Sequence, residues 1–257
     1  MNIDFLGTNN IINIILGSIV VSCFFIMHFI EMASFGSRVA GRVLNRVALG
    51  TTLQLSIMTI SRFFLIPFLP ILGWLVEEGI LIEDYLIIVI AAYLLSFLVS
   101  IVILFKLNLF QSIFQKIFSN YENRTIPMAV IITVLNDNKN FKSKPCERFS
   151  IKKIVFKKVL VSCFAYLFLI TGFFIAFMLA ILYPENRLTL TQFTATFHGI
   201  GAIILAVYLD PMLSRSIDLN NDEITWVKNV YSIILGRVLS YFLILLAMSI
   251  FLAIKLF

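Results

Sequence analysis

Ionisable side chains stand in this sequence where a bilayer makes them expensive. His28, Glu31, Arg62, His198, Asp210 and Arg237 lie within or at the ends of long apolar runs. Insertion scales put such a charge at about 2.5–3.5 kcal/mol near the centre of a membrane-spanning helix, so it persists where it faces a bundle interior or wet cavity and finds a partner. Arginine points to one chemistry in particular, because a guanidinium grips a phosphate or carboxylate through two parallel hydrogen bonds. At 3.6 residues per turn, Glu31, Phe35, Arg38 and Arg42 share one face, provided the helix continues through Gly36 and Gly41. Two readings of that face are open. Either Arg38, Arg42 and Arg46 are topology charges reaching to headgroups, with Glu31 paired in order to stay buried, or the face is an anion site whose carboxylate holds the arginines between ligands.

Arg62 and Arg237 each have a long apolar run on both sides and cannot easily reach an interface. They need partners, and Glu31 and Asp210 are the natural ones. His28 and Glu31, at i and i+3, are too few to hold a metal ion, and neither metal nor cofactor is expected. Thr191, Thr194, His198, Gly201 and Leu205 form one small or polar stripe, read as close helix packing rather than a cofactor site.

The elements that must carry these residues are membrane spans. Of 257 residues, 60% are hydrophobic and 13% charged, with a mean hydropathy of +1.00, far from a soluble domain's composition. Six apolar segments are each about 20 residues or longer, enough to cross a hydrocarbon core: Ile11–Phe35, Val47–Phe68, Ile80–Phe105, Val159–Leu182, Thr191–Leu209 and Trp226–Phe257. Their continuous apolarity predicts an all-α polytopic bundle, since barrel strands alternate. Only Asp4 is charged before the first segment, which is too long for a signal peptide's core, so it reads as a retained span.

Charge sorts the loops. Arg38, Arg42 and Arg46 follow the first span, whereas Glu77, Glu78, Glu83 and Asp84 separate the second from the third. Region 106–158 holds eleven of the twenty basic residues. The positive-inside rule then predicts loops 36–46, 106–158 and 210–225 in the cytoplasm and both termini outside. Within region 106–158, Leu107–Phe118 and Ile126–Leu135 have helical spacing and either lie on the inner leaflet or belong to a solvated loop; Asn136–Lys144 reads as its flexible tip. The net charge of +6 resides there, and contact with membrane lipids explains it better than nucleic acid. Cys23, Cys146 and Cys163 show no metal or disulfide spacing.

A short internal echo links Glu31, Arg38 and Arg62 in the first pair of spans with Asp210, Arg215 and Arg237 in the last, suggesting parallel repeats about an axis along the membrane normal. No GxxxxGK[ST] loop, HExxH helix, GxSxG elbow or glycine-rich dinucleotide turn occurs, which makes an enzyme the weaker expectation.

The segment HFIEMASFGSRVAGRVLNRVALG, with ISRFFLIPFLPILGWLVEE after it, resembles the Amj family of bacterial lipid II flippases, as do AIILAVYLDPMLSRSID and LGRVLSYFLILLA near the other end. The resemblance covers roughly residues 26–80 and 195–250 and is vague across the basic loop. It implies a transporter of the cytoplasmic membrane that moves an undecaprenyl-pyrophosphate-linked peptidoglycan precursor from the inner to the outer leaflet. On that resemblance Arg38, Arg42, Arg62 and Arg237, with His28, contact the substrate. Glu31 and Asp210, with His198 and Arg215, then hold those arginines or carry a coupling proton. Other functions stay open: a carrier of a small anion or of a different polyprenyl-linked glycan, a membrane enzyme acting on lipid phosphates, and a structural partner in an envelope complex.

Overall fold

The protein is described by a computed structural model over residues 4–122, 124–135, 143–144, 149, 154–219 and 223–256. Among these residues there is no strand, and six helical segments are long and apolar enough to cross a membrane. The first is α1, Asp4–Val43, which runs unbroken through Gly36 and Gly41. The second is broken: α2, Val47–Ser61, passes through a 3-10 turn at Arg62–Phe64 into α3, Leu65–Glu77. The third is α4, Ile82–Tyr121, followed by the short α5, Ile126–Leu135, and the fourth is α6, Phe156–Leu182. The fifth is also interrupted: α7, Arg187–Ile204, meets a π-helical turn at Leu205–Leu209 before α8, Asp210–Leu219. The sixth is α9, Glu223–Leu256.

Proline accounts for both interruptions. A proline lacks the N–H that would bond the carbonyl four residues back, and its ring clashes with that carbonyl. Pro67 therefore disturbs Phe63, inside the 3-10 turn, and Pro211 disturbs Val207, inside the π turn. The two broken spans are the second and the fifth.

The packing divides the spans into two halves of three. In the first, α1 packs on both α2 and α4; in the second, α6 packs on both α7 and α9, and α4 and α9 join the halves. The expected pairing of the first two spans with the last two is not what forms, because the fifth span rests on the fourth and makes no extensive contact with α9. With three spans in each half, the halves run in opposite senses, so the relation is that of inverted rather than parallel repeats.

Close approach depends on small residues. Gly41 and Gly50 meet backbone to backbone where α1 crosses α2, and the Ser37 hydroxyl donates to the Gly50 carbonyl at 3.1 Å. A Cβ on Gly201 would lie 2.6 Å from the Leu169 nitrogen, which explains why α7 sits so tightly on α6. Deep in the bundle, Phe24, Phe68, Tyr93 and Phe174 pack ring against ring, and the Tyr85 and Tyr93 hydroxyls donate to the carbonyls of Phe174 and Ile170. The fifth span stays peripheral: 6% of its most apolar window is buried in the protein, against 56% for the fourth.

Region 106–158 begins where expected: the backbone leaves helical geometry at Lys106 (φ −107°, ψ 18°), and a second helical stretch that holds Leu107–Phe118 starts beyond this kink in α4. It persists because Gln111, Phe114, Gln115 and Phe118 have packing partners and bury one face. Of the tip expected at Asn136–Lys144, only Ser143 and Lys144 lie within the described residues; the Lys144 backbone is held by Gln111 and Gln115. Cys146 lies outside them.

Candidate functional site

The expensive charges sort into two kinds. Arg237, fully buried on α9, ion-pairs with Glu31, places its guanidinium 4.7 Å from the centre of the Tyr166 ring and donates from Nε to the Tyr241 hydroxyl at 3.2 Å. His28 Nδ1 lies 2.8 Å from Arg237 Nη2 and 3.3 Å from Glu31 Oε2. The Ser61 hydroxyl donates to the other Glu31 oxygen at 3.1 Å, tying the carboxylate to the last residue before the break in the second span. Arg38 Nη2 donates to Asp210 Oδ1 at 3.0 Å, joining α1 to the fifth span just beyond its π turn.

One expected pair forms and the others do not: Glu31, one of the two carboxylates expected to partner Arg62 and Arg237, pairs with Arg237 across the bundle rather than sitting beneath Arg38 and Arg42, and Asp210 serves Arg38 rather than Arg62 or Arg237. The Arg62 side chain then has no hydrogen bond or ion pair with a described residue. It is exposed, and it projects from the 3-10 turn into a cavity of about 240 Å³.

That cavity lies between the two broken spans, floored by α1 and α6. His28, Glu31, Arg62, His198 and Asp210 all line it, alongside apolar walls such as Met58, Phe173 and Leu205. The fold thus brings together five of the singled-out residues. Arg237 is walled off behind Glu31, while Arg42, half-buried, and Arg215, exposed on α8, are not among the lining residues. Of the stripe on α7, Gly201 packs on α6 and the His198 ring lies 5.4 Å from that of Phe173 on α6 while also lining the cavity, and Thr194 lines the cavity at the acidic end.

The central cavity continues in both directions. Toward the basic end, Arg38, Gln54 and Tyr166 line a smaller space that shares Met58, Leu205 and Asp210 with it. Toward the acidic end, a cavity of about 510 Å³ is lined by Leu69, Phe177 and Thr194. These are each one helical turn from Leu65, Phe173 and His198 of the central cavity. A cleft therefore runs along most of the bundle between the second and fifth spans. Buried polar atoms without a partner gather beside it: Arg38 Nε and Gln54 Oε1 at one end, His28 Nε2 and His198 Nδ1 in the middle, Arg187 Nε at the other. An unsatisfied buried polar atom costs about 1–3 kcal/mol; four more, Ser96 Oγ, Ser100 Oγ, Trp226 Nε1 and Arg237 Nη1, belong to residues that do not line the cleft.

Sequence reasoning missed Ser61, Gln54, Tyr166, Tyr241 and Arg187. Tyr241 had a readable signal, one turn from Arg237; the others depend on helices far apart in the chain. Among the described residues no cluster of three acidic, histidine or cysteine side chains offers a metal site.

Six spans, two of them broken on either side of a cleft lined by Arg62, define a polytopic membrane protein. The chain belongs to the Amj family (Alternate to MurJ), whose family model matches residues 23–253. No curated protein and no solved structure matches it.

Proposed function

We propose that this protein is a flippase of the bacterial cytoplasmic membrane that carries lipid II, a polyprenyl-pyrophosphate-linked peptidoglycan precursor, from the inner to the outer leaflet. The observation that carries the reading is Arg62, held without a counter-ion at the break of the second span and facing the cleft. Membership of a family described as an alternate to MurJ supports the same reading. The basic end faces the cytoplasm and the acidic end the outside, with both termini outside, in keeping with the positive-inside rule.

In this mechanism the pyrophosphate enters between the second and fifth spans, its headgroup travels in the cleft and its prenyl tail stays in the lipid. Arg62 supplies the charge-assisted hydrogen bonds midway, and His28 and His198 offer polar contacts beside it. Arg237 and Glu31 keep the floor of the cleft rigid, and Arg38 with Asp210 forms a latch between the floor and the moving span. The three cavities are narrow where they meet, so passage requires the broken spans to separate. Proline-induced breaks are where such spans bend, and corresponding broken spans in opposed repeats are a recurring carrier device.

The test is leaflet accessibility of the lipid-linked precursor in cells depleted of this protein and of any other flippase. Supplying this chain should restore precursor to the outer leaflet, and the Arg62→Gln chain should not. Normal outer-leaflet precursor in the depleted cells would rule the reading out, and uptake of a small anion without any lipid carrier would favour the alternative transporter.

A further inference from the structure

The acidic end of the cleft holds a second cation, outside the six apolar runs. Arg187 is the first residue of α7, and its Nη1 donates only a long bond, 3.5 Å, to the Glu77 carbonyl on α3. Its Nε is buried without an acceptor, and it forms no ion pair with a described residue. The same cavity presents the Gln192 amide and the Thr194 hydroxyl on one wall, Glu77 on another and apolar Leu69 and Phe177 at its base. Asn186, the residue before α7, gives no side-chain cap, so the first N–H groups of an 18-residue helix also point toward this end.

We infer that this cavity is the exit-side phosphate subsite, in which Arg187 takes over the anionic group that Arg62 holds midway. The inference rests on the flippase reading. Its ligand is an amphiphile that offers a phosphate or pyrophosphate to Arg187 and hydroxyl or amide donors to Glu77, with the first isoprene units against Leu69 and Phe177. Arg62 and Glu77 are fifteen residues apart on one broken span, or about 22 Å at 1.5 Å per residue, roughly three-quarters of the thickness of a hydrocarbon core of about 30 Å. One arginine midway cannot serve an anion over that remaining distance, whereas a second at the far end gives it a place to dwell before release. Arg187 is also the residue that ties the fifth span to the second at this end, so a phosphate that claims its guanidinium removes the contact closing the cleft.

The test uses the full chain in zwitterionic-lipid vesicles, with Cys23, Cys146 and Cys163 replaced by Ala and one reporter cysteine at either Met58→Cys or Gln192→Cys. Maleimide labelling is timed with and without a polyprenyl pyrophosphate, and with inorganic pyrophosphate as the tail-free comparison. The expected result is that the polyprenyl pyrophosphate protects both reporters, and that Arg187→Gln weakens protection at Gln192→Cys roughly ten-fold or more, the size of one charge-assisted hydrogen bond, while Met58→Cys stays protected. Arg187→Lys, which keeps the charge, should restore part of that protection and guards against a variant that fails to fold. Protection by inorganic pyrophosphate as well would support the same subsite and assign recognition to the phosphates alone. Protection at Met58→Cys without any at Gln192→Cys, or protection at Gln192→Cys indifferent to Arg187→Gln, overturns the exit subsite and leaves the flippase reading standing. Protection at neither reporter overturns both.

Discussion

Arg62 and Arg237 occupy similar places in the sequence, each deep in an apolar run, and the fold treats them in opposite ways. Arg237 is enclosed by a carboxylate, a histidine and two tyrosines, and no part of it is exposed. Arg62 faces an open cleft and has no such company. A buried ion pair adds little net stability, but losing one member leaves an uncompensated charge, so Arg237 is a fixed part of the frame. An exposed arginine in a membrane cleft contributes nothing to that frame. On the proposed flippase reading its cost is recovered when an anion arrives, so that reading gives the substrate contact to Arg62 and not to the more deeply buried residue.

The contrast is broken or sharpened by removing each side chain in turn. Arg237→Ala should cost about 3–5 kcal/mol by stranding Glu31, seen as a large fall in melting temperature in detergent. The Glu31→Gln/Arg237→Met double variant should melt closer to the original chain, and a simple sum of losses would sink the pairing argument. Arg62→Gln should leave melting within about 0.5 kcal/mol of the original, as surface substitutions do. Its cost should appear instead as about 1.5–3 kcal/mol of lost binding to the transported anion, read as flux. Asp210→Ala removes a partly exposed carboxylate from the nearly buried Arg38; it should cost about 1–3 kcal/mol, toward the lower figure because water reaches the site. Ser61→Ala gives up one hydrogen bond to Glu31, about 1 kcal/mol, and by the same melting measurement should be milder than Arg237→Ala and no worse than Asp210→Ala.

Much of the frame could be read from residue order. The six apolar runs announce six spans, and the prolines at 67 and 211 announce the breaks in two of them, although their shared role emerges only when both flank one cleft. That Arg237 needs a carboxylate, with Glu31 a candidate, could be read, but not which candidate it takes, nor that Asp210 goes to Arg38. Glu31 and Arg237 are 206 residues apart and Arg38 and Asp210 172, so which carboxylate serves which guanidinium is decided by helix packing, not by spacing within a helix. The break at Lys106 and the helical stretch over Leu107–Phe118 were readable, since a lysine after an apolar run marks an edge and the spacing beyond it is helical; that Gln111, Phe114 and Phe118 bury one face of that stretch was not. Arg187 escaped notice because it lies in a short loop beside Glu185, where a lone basic residue looks like ordinary surface charge.

Passage of an anion between the second and fifth spans by way of Arg62 is tested most directly by following a labelled polyprenyl-pyrophosphate glycolipid from one leaflet to the other in proteoliposomes. The original chain is compared with Arg62→Gln at equal inserted protein and equal melting temperature. A fall in rate of roughly ten-fold or more, the loss expected for a hydrogen bond to a charged group, is the expected result. Equal rates for the two chains would contradict a role for Arg62 in transport.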